Sequence, residues 1–319
     1  MSHIKTIAMN LLNFISEYSD EESCKLKLKA IRDAEGIVCR HCWSKEHYWK
    51  KDKWQDECKV CKFRTTLRSG KVIHGSQMTF RYWFIALHLL ISTKKSFSAL
   101  ELQRQLGHKY YEPMTMLHKL RLVMGEKDDQ YKFSDEIELD EGFFSTTMLS
   151  EKMEQPLKRG LGSQKKFKVL VMTESKEVEE KPTKKGKPRK VGFIKMQIIP
   201  DLKADTINDQ ASSCISDQAT LITYDSTTYV NFASIVKEHQ SKVIPKENIV
   251  KVLPWVHITI SNAKRMLLDI HHSINPMYLQ SYLNEFCYKF NRRYFGEILF
   301  DKLLLVCATS KNKFKYRMR

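Results

Sequence analysis

The sequence predicts an α/β chain assembled from modules: a small ribbon anchored by cysteines, a short run of helices, and a strand-rich body closed by further helices. Three observations carry that expectation. Cys39, Cys42, Cys58 and Cys61 fall in two close pairs. From Thr79 to Met124 three helical stretches follow one another closely. Beyond them, strand-like runs occupy 137–144, 167–173, 193–200 and 220–224, before helical periodicity returns at 277–290.

Composition sets the outer limits. At 319 residues and 42% hydrophobic, the chain can bury one sizeable core and one or two small modules. A formal net charge of +17, spread along the chain, favours a polyanionic partner, with nucleic acid the first candidate and a merely soluble or ribosome-associated basic protein the alternative. No apolar run approaches the roughly 20 residues that cross a bilayer, and the N-terminus lacks the order of a secretion signal. A cytosolic protein with no membrane partner is expected. Cys24, Cys214, Cys287 and Cys307 are scattered singly, which points to a metal site in a reducing compartment and not to a disulfide framework.

Residues 1–35 read as a helical leader, with Leu11, Leu12, Phe14 and Ile15 ahead of the acidic Asp20, Glu21 and Glu22. Residues 36–75 form the ribbon: two C-x-x-C knuckles, separated by the span that holds Tyr48, Trp49 and Trp54, offer four thiolates to one tetrahedral zinc ion per chain. Lys45, Lys50, Lys51, Lys53, Lys59, Lys62 and Arg64 interleave there with Trp43, Trp49, Trp54 and Phe63, a composition that suits a phosphate backbone, although ribbons also dock proteins. Residues 76–128 follow as a helix-turn-helix outline. Thr79 caps a first helix, Ser98 a second that stops at Gly107, and a third runs from about Pro113. Lys109 in the turn and His118, Lys119 and Arg121 on the third helix are the expected DNA contacts.

The body, 129–300, carries a basic hairpin insert near 174–192, whose KPTKKGKPRK stretch (181–190) is read as a solvated loop or a phosphate contact. Tyr278, Tyr282, Phe286 and Phe290 recur every fourth residue on a core helix, and 301–319 reads as a basic tail. Two carboxylates stand out. In Ile137-Glu138-Leu139-Asp140-Glu141, alternation puts Glu138 and Asp140 on one face; Asp225 ends the apolar run Leu221–Tyr224. If these strands are parallel neighbours about 4.8 Å apart, both aspartates project from adjacent positions and divalent cations relieve their repulsion, as two-metal phosphoryl transfer requires. A strand-end Asp is otherwise a helix cap or turn former. His257, His271 and His272 are candidate ligands or proton carriers, or simply satisfied polar groups.

Taken in order, the ribbon, the helix-turn-helix, "IELDEGFF", the basic hairpin, "LITYDSTTYVNF", "WVHITISNAKRMLLDIHHSI" and "YLNEFCYKFNRR" closely resemble ISXO2-like transposases of bacterial insertion sequences, over about Gly36 to Arg293. These pair an N-terminal zinc ribbon with a catalytic domain. The resemblance implies an RNase H-like mixed sheet with flanking helices and an Asp, Asp, Asn, Lys set that matches Asp140, Asp225, Asn262 and Lys264 here. It also implies Mg²⁺ or Mn²⁺, two ions, with attack on phosphodiesters by water and then by a DNA 3′-hydroxyl. The expected partners are double-stranded terminal repeats and target DNA, bound by a dimer or larger assembly at the bacterial nucleoid. Asn262 offers an amide oxygen, so it would hold a second metal more weakly than a carboxylate. Glu238, Glu247 and Glu285 remain alternative third carboxylates, and Asn262 could instead cap a helix. Lys264 is expected at a DNA phosphate, with Arg265 equivalent on charge. The expected function is a DNA transposase; the alternatives are an inactive transposase-derived DNA-binding protein and a ribbon protein that docks on transcription or translation machinery.

Overall fold

The computed structural model describes residues 9–147, 163, 165–178, 189–243, 252–271, 273–311 and 313–314, in two units: Met1–Met124 with Arg292–Arg319, and Gly125–Asn291. The first unit opens with α1 (Leu11–Glu17), whose first turn Asn10 caps, and α2 (Glu21–Glu35), started by a capping box between Asp20 and Ser23. Gly36, at φ 85°, lets the chain leave α2 in a conformation a side chain would resist. The ribbon follows as the antiparallel strands β1 (His47–Lys50), β2 (Gln55–Cys58) and β3 (Arg64–Thr66).

α2 is bound to this ribbon. The Arg32 guanidinium, buried, donates 2.8 Å bonds to the carbonyls of Thr66 and Leu67, and the ammonium groups of Lys29 and Lys25 lie 4.3 and 5.3 Å from the rings of Trp49 and Trp54. Trp49 and Trp54 therefore serve packing between α2 and the ribbon, which removes them from the expected phosphate-facing set. Trp43, 77% exposed, remains on the surface.

The caps read from sequence are in place: Thr79 starts α3 (Phe80–Ser92), Ser98 starts α4 (Ala99–Leu106), and Gly107 ends α4 at φ 67°. The third helix, α5 (Tyr111–Asp128), departs from the expected outline. It is enclosed, with Met116, Leu117, His118, Lys119, Leu120, Arg121, Val123 and Met124 all buried. The stretch Met116–Arg121 is buried without a break and cannot lie in a groove, so His118, Lys119 and Arg121 are corrected from DNA contacts to interior groups. Lys119 Nζ donates to the His74 carbonyl at 2.7 Å, and Arg121 donates to the Phe97 carbonyl at 2.9 Å. These bonds show why cations sit inside: they satisfy loop carbonyls that lack secondary-structure partners. Lys109, just ahead of α5, is exposed.

The expected tail is also corrected. Ile298–Thr309 is a helix with Leu299, Phe300, Leu303, Leu304 and Cys307 buried, packed on α2 and α3 in the first unit. Its apolar residues recur at three- and four-residue spacing, which makes it core.

The second unit is a mixed sheet between two helical layers. Its strands are β4 (Glu136–Ser145), β5 (Lys166–Glu177), β6 (Arg189–Ile199), β7 (Thr220–Tyr224) and β8 (Glu238–Lys242), in the order β6-β5-β4-β7-β8. The first three form an antiparallel meander, while β7 and β8 run parallel to β4. Each parallel return needs a crossover; α6 (Ala204–Cys214) supplies the one between β6 and β7. Alternation divides the strands between two cores. Ile137, Leu139, Leu170, Met172 and Leu221 join Ile207 and Ala211 of α6 on one face. On the other, Phe144, Val169, Val171 and Ile222 meet α7 (Pro254–Ile270) and α8 (Leu279–Asn291). This is the expected RNase H-like arrangement. Of the basic stretch 181–190 only Arg189 and Lys190 are among the described residues, as the start of β6; the loop reading falls outside them. No helix among the described residues is long and apolar enough to cross a membrane.

Candidate active site

β4 carries the carboxylates. Its parallel register with β7 pairs Glu138 with Ile222, so two residues further on Asp140 is level with Tyr224, and Asp225 lies one residue past the end of β7. The expectation that these two strands are parallel neighbours holds. Asp140 is half-buried and Asp225 exposed, its Oδ1 accepting a 3.1 Å bond from Ser241 Oγ on β8.

The same face of β4 ties down α7. Glu138 is buried, and one of its oxygens, Oε2, accepts the backbone N–H groups of both Trp255 and Val256 at 2.8 Å. Leu253, the residue before α7, provides no side-chain cap, so Glu138 performs that role from the sheet. One turn into α7, His257 reaches over the same strand. Its Nδ1 is 3.9 Å from Asp140 Oδ2, and its Nε2 is 2.7 Å from the Tyr224 hydroxyl. Glu138 and His257 were not singled out together from sequence. The available signal was that both face Asp140's side once β4 and the start of α7 are placed.

Burial governs the charges here. It pushes the Glu138 carboxyl up to about 7, against the lowering pull of the Val256 and Trp255 amides. Asp140 is raised to about 6 by burial, opposed only by a backbone bond at Glu141. Burial also raises Glu141, which the Tyr229 hydroxyl at 2.6 Å partly offsets. The Tyr224 hydroxyl goes up to about 12, first through burial and then through the charges of Asp140 and Glu138, while burial lowers His257 toward the neutral imidazole. A half-buried carboxylate with an imidazole nitrogen 3.9 Å away is a site that a divalent cation would stabilise, so the donor set fits the metal that the sequence implies.

Along α7, His257 and Lys264 are seven residues apart, so at about 100° per residue they lie within about 20° of one another. This stripe follows β4. Lys264 Nζ lies 5.6 Å from the Phe144 ring, as His257 lies by Asp140. Burial, and then the neighbouring charge of Lys166, lowers the Lys264 ammonium. Beyond it opens a cleft of about 840 Å³, lined by Phe144, Thr146, Lys165, Lys166, Lys264 and Leu268 among others. His271 also lines it; His272 and Glu247 are outside the described residues.

Asn262 is not on the stripe. Five residues from His257, it lies about 140° round α7, on the opposite flank from His257 and Lys264, with Val256, Thr259, Ala263 and Met266 buried between the two flanks. Arg265 is exposed. The other third carboxylates are displaced as well. Glu238 pairs with Thr220, at the end of β8 remote from Asp225, and Glu285 is buried on α8 with Lys289 Nζ 3.5 Å away.

In the ribbon, the thiolate sulfurs of Cys39, Cys42, Cys58 and Cys61 lie within 4.8 Å of one another, with 3.5 Å between Cys39 and Cys61 and 3.4 Å between Cys42 and Cys58. A tetrahedral ion with bonds of roughly 2.3 Å spaces its sulfurs by roughly 3.8 Å, so four cysteines are gathered as one metal ion requires. The Cys61 backbone N–H leads the interactions that bring the Cys58 thiol down to about 6.

A three-layer unit with strand order β6-β5-β4-β7-β8, an Asp on its central strand and a second Asp at the end of the neighbouring parallel strand defines the RNase H-like class. Residues 132–291, half of the chain, match the family model of the ISXO2-like transposase domain, and the chain belongs to that family. No curated protein matches it.

Proposed function

We propose that this chain is an active DNA transposase, which binds the terminal repeats of its own element, cuts at their ends and joins them to target DNA. The observation that carries this reading is the half-buried Asp140 carboxylate on β4, with Asp225 at the end of the parallel neighbour. Asp140 and Asp225 hold divalent ions, Mg²⁺ or Mn²⁺, which supply positive charge to the attacking and leaving oxygens of the scissile phosphate. Lys264 binds a phosphate beside them. Lys165 and Lys166 continue that positive track along a cleft whose lining, among the described residues, contains no carboxylate, a surface that suits a DNA backbone. Arg265 and Lys109, both exposed, are free to meet further phosphates. The four ribbon thiolates hold one structural zinc ion, and the exposed ribbon lysines Lys51, Lys53 and Lys62 add duplex contacts. Joining requires two ends at once, so a dimer or larger assembly forms on DNA in the bacterial cytoplasm, at the nucleoid.

The test is to incubate purified protein and labelled DNA bearing the element's terminal repeats with Mg²⁺ or Mn²⁺, beside Asp140→Ala and Asp225→Ala. Metal-dependent cleavage or joining that both substitutions abolish is the expected result. Binding without cleavage under either metal would leave a DNA-binding protein only.

A further inference from the structure

Resting on the metal-site reading above, the geometry points to a third ligand. Glu138 is committed, since a single oxygen already accepts two amides at the start of α7. Glu141 faces the other core and accepts from Tyr229. Glu238 and Glu285 lie elsewhere, and Asn262 lies on the far flank of α7. The side chain that faces Asp140 is His257.

We propose that His257 Nδ1 is the third protein ligand of the catalytic metal, in the place expected of Asn262. Its separation from Asp140 Oδ2, 3.9 Å, is too long for a hydrogen bond. Two atoms bound to one ion at roughly 2.1 Å stand roughly 3.0 Å apart at a right angle and roughly 4.2 Å apart in opposition, so 3.9 Å suits a shared cation. A ligating imidazole needs a bare nitrogen toward the metal and a partner for the other. The Tyr224 oxygen, 2.7 Å from Nε2, accepts that second N–H and fixes the tautomer. Tyr224 is level with Asp140 and directly precedes Asp225, so the ring is oriented by the same strand end that delivers the second aspartate.

An imidazole donor has a chemical consequence. Mg²⁺ prefers oxygen ligands, whereas nitrogen donors suit transition metals, so the site should favour Mn²⁺ over Mg²⁺. The direct test is pulsed electron paramagnetic resonance of full-length protein loaded with Mn²⁺, which detects the ¹⁴N nucleus of a coordinated imidazole; zinc in the ribbon is silent. Wild type is expected to show the ¹⁴N modulation, His257→Gln to lose it with about a 10- to 100-fold fall in Mn²⁺ affinity, and Asn262→Ala to keep both. His257→Glu should bind Mn²⁺ without the modulation and raise Mg²⁺-supported cleavage relative to Mn²⁺. Bound Mn²⁺ with no ¹⁴N signal in wild type, or a signal that survives His257→Gln, would overturn the assignment while leaving Asp140 and Asp225 in place. Asp140→Ala separates the two readings: Mn²⁺ affinity unchanged in that variant would sink the aspartate site itself.

Discussion

The removal of Glu138 tests how the sheet sets the position of α7. In Glu138→Ala two amides of the first helical turn, Trp255 and Val256, lose their acceptor in a buried place. A lost cap costs about 0.5–2 kcal/mol and a buried amide left without a partner about 1–3 kcal/mol, so the substitution should cost roughly 2–4 kcal/mol at acid pH. The cost depends on pH with a definite sign. Burial raises the folded-state carboxyl from 4.5 to about 7, so the folded protein binds the extra proton between those values. The carboxyl's contribution is therefore complete below about 4.5 and declines as pH rises through about 7, by an amount on the order of 3 kcal/mol. Glu138→Gln keeps an acceptor oxygen and cannot ionise. Relative to wild type it should be about equally stable at pH 5, where the buried carboxyl is also neutral, and the more stable protein at pH 8. Hydrogen exchange at the Trp255 and Val256 amides, read by mass spectrometry on the α7 peptide, reports this locally. Protection at these amides that is the same in wild type and Glu138→Ala would refute the reasoning.

Three further outcomes follow from the first unit. Elemental analysis should find one zinc per chain, and Cys58→Ser should lose it together with the ribbon's resistance to proteolysis; metal-free wild-type protein would remove the site. Arg121→Met should destabilise the first unit by about 3 kcal/mol in urea denaturation, because the Phe97 carbonyl loses its buried donor, while duplex DNA affinity is unchanged. A large loss of affinity with normal stability would instead return Arg121 to the DNA. Lys62, which follows the second knuckle, is held at φ 62°, a region that costs a side chain about 1–2 kcal/mol. Lys62→Gly should raise the chelator concentration needed to unfold the ribbon, and a fall would contradict the strain.

Sequence revealed the parts whose signal is local. Thr79, Ser98 and Gly107 announce helix ends because caps and left-handed turns are settled within four residues, and the two knuckles announce themselves by spacing. β8 gave no such sign. EHQSK is a polar strand at the edge of the sheet, half-exposed along its length, and it is a strand only because β7 offers it a parallel partner. The cations of α5 misled for a related reason: Lys119 and Arg121 look like surface charges until the loops whose carbonyls they satisfy are in place.

Asn262 shows the same limit at the site itself. A motif is read along a line, but a helix presents its residues by angle, and Asn262 and Lys264, two apart in sequence, lie about 160° apart on α7. No single flank can offer both to one site. Seven residues bring the chain back to the same flank, so whichever residue shares a site with Lys264 must lie near 257, 260 or 261 on its N-terminal side. Ile260 is buried in the core and Ser261 is exposed, which leaves His257, the one position whose ring also meets Asp140. Glu138 then explains why that phase is fixed. By binding the first amides of α7 from the strand that holds Asp140, it sets the rotation of the helix relative to the carboxylate, and a free α7 could turn His257 away from it.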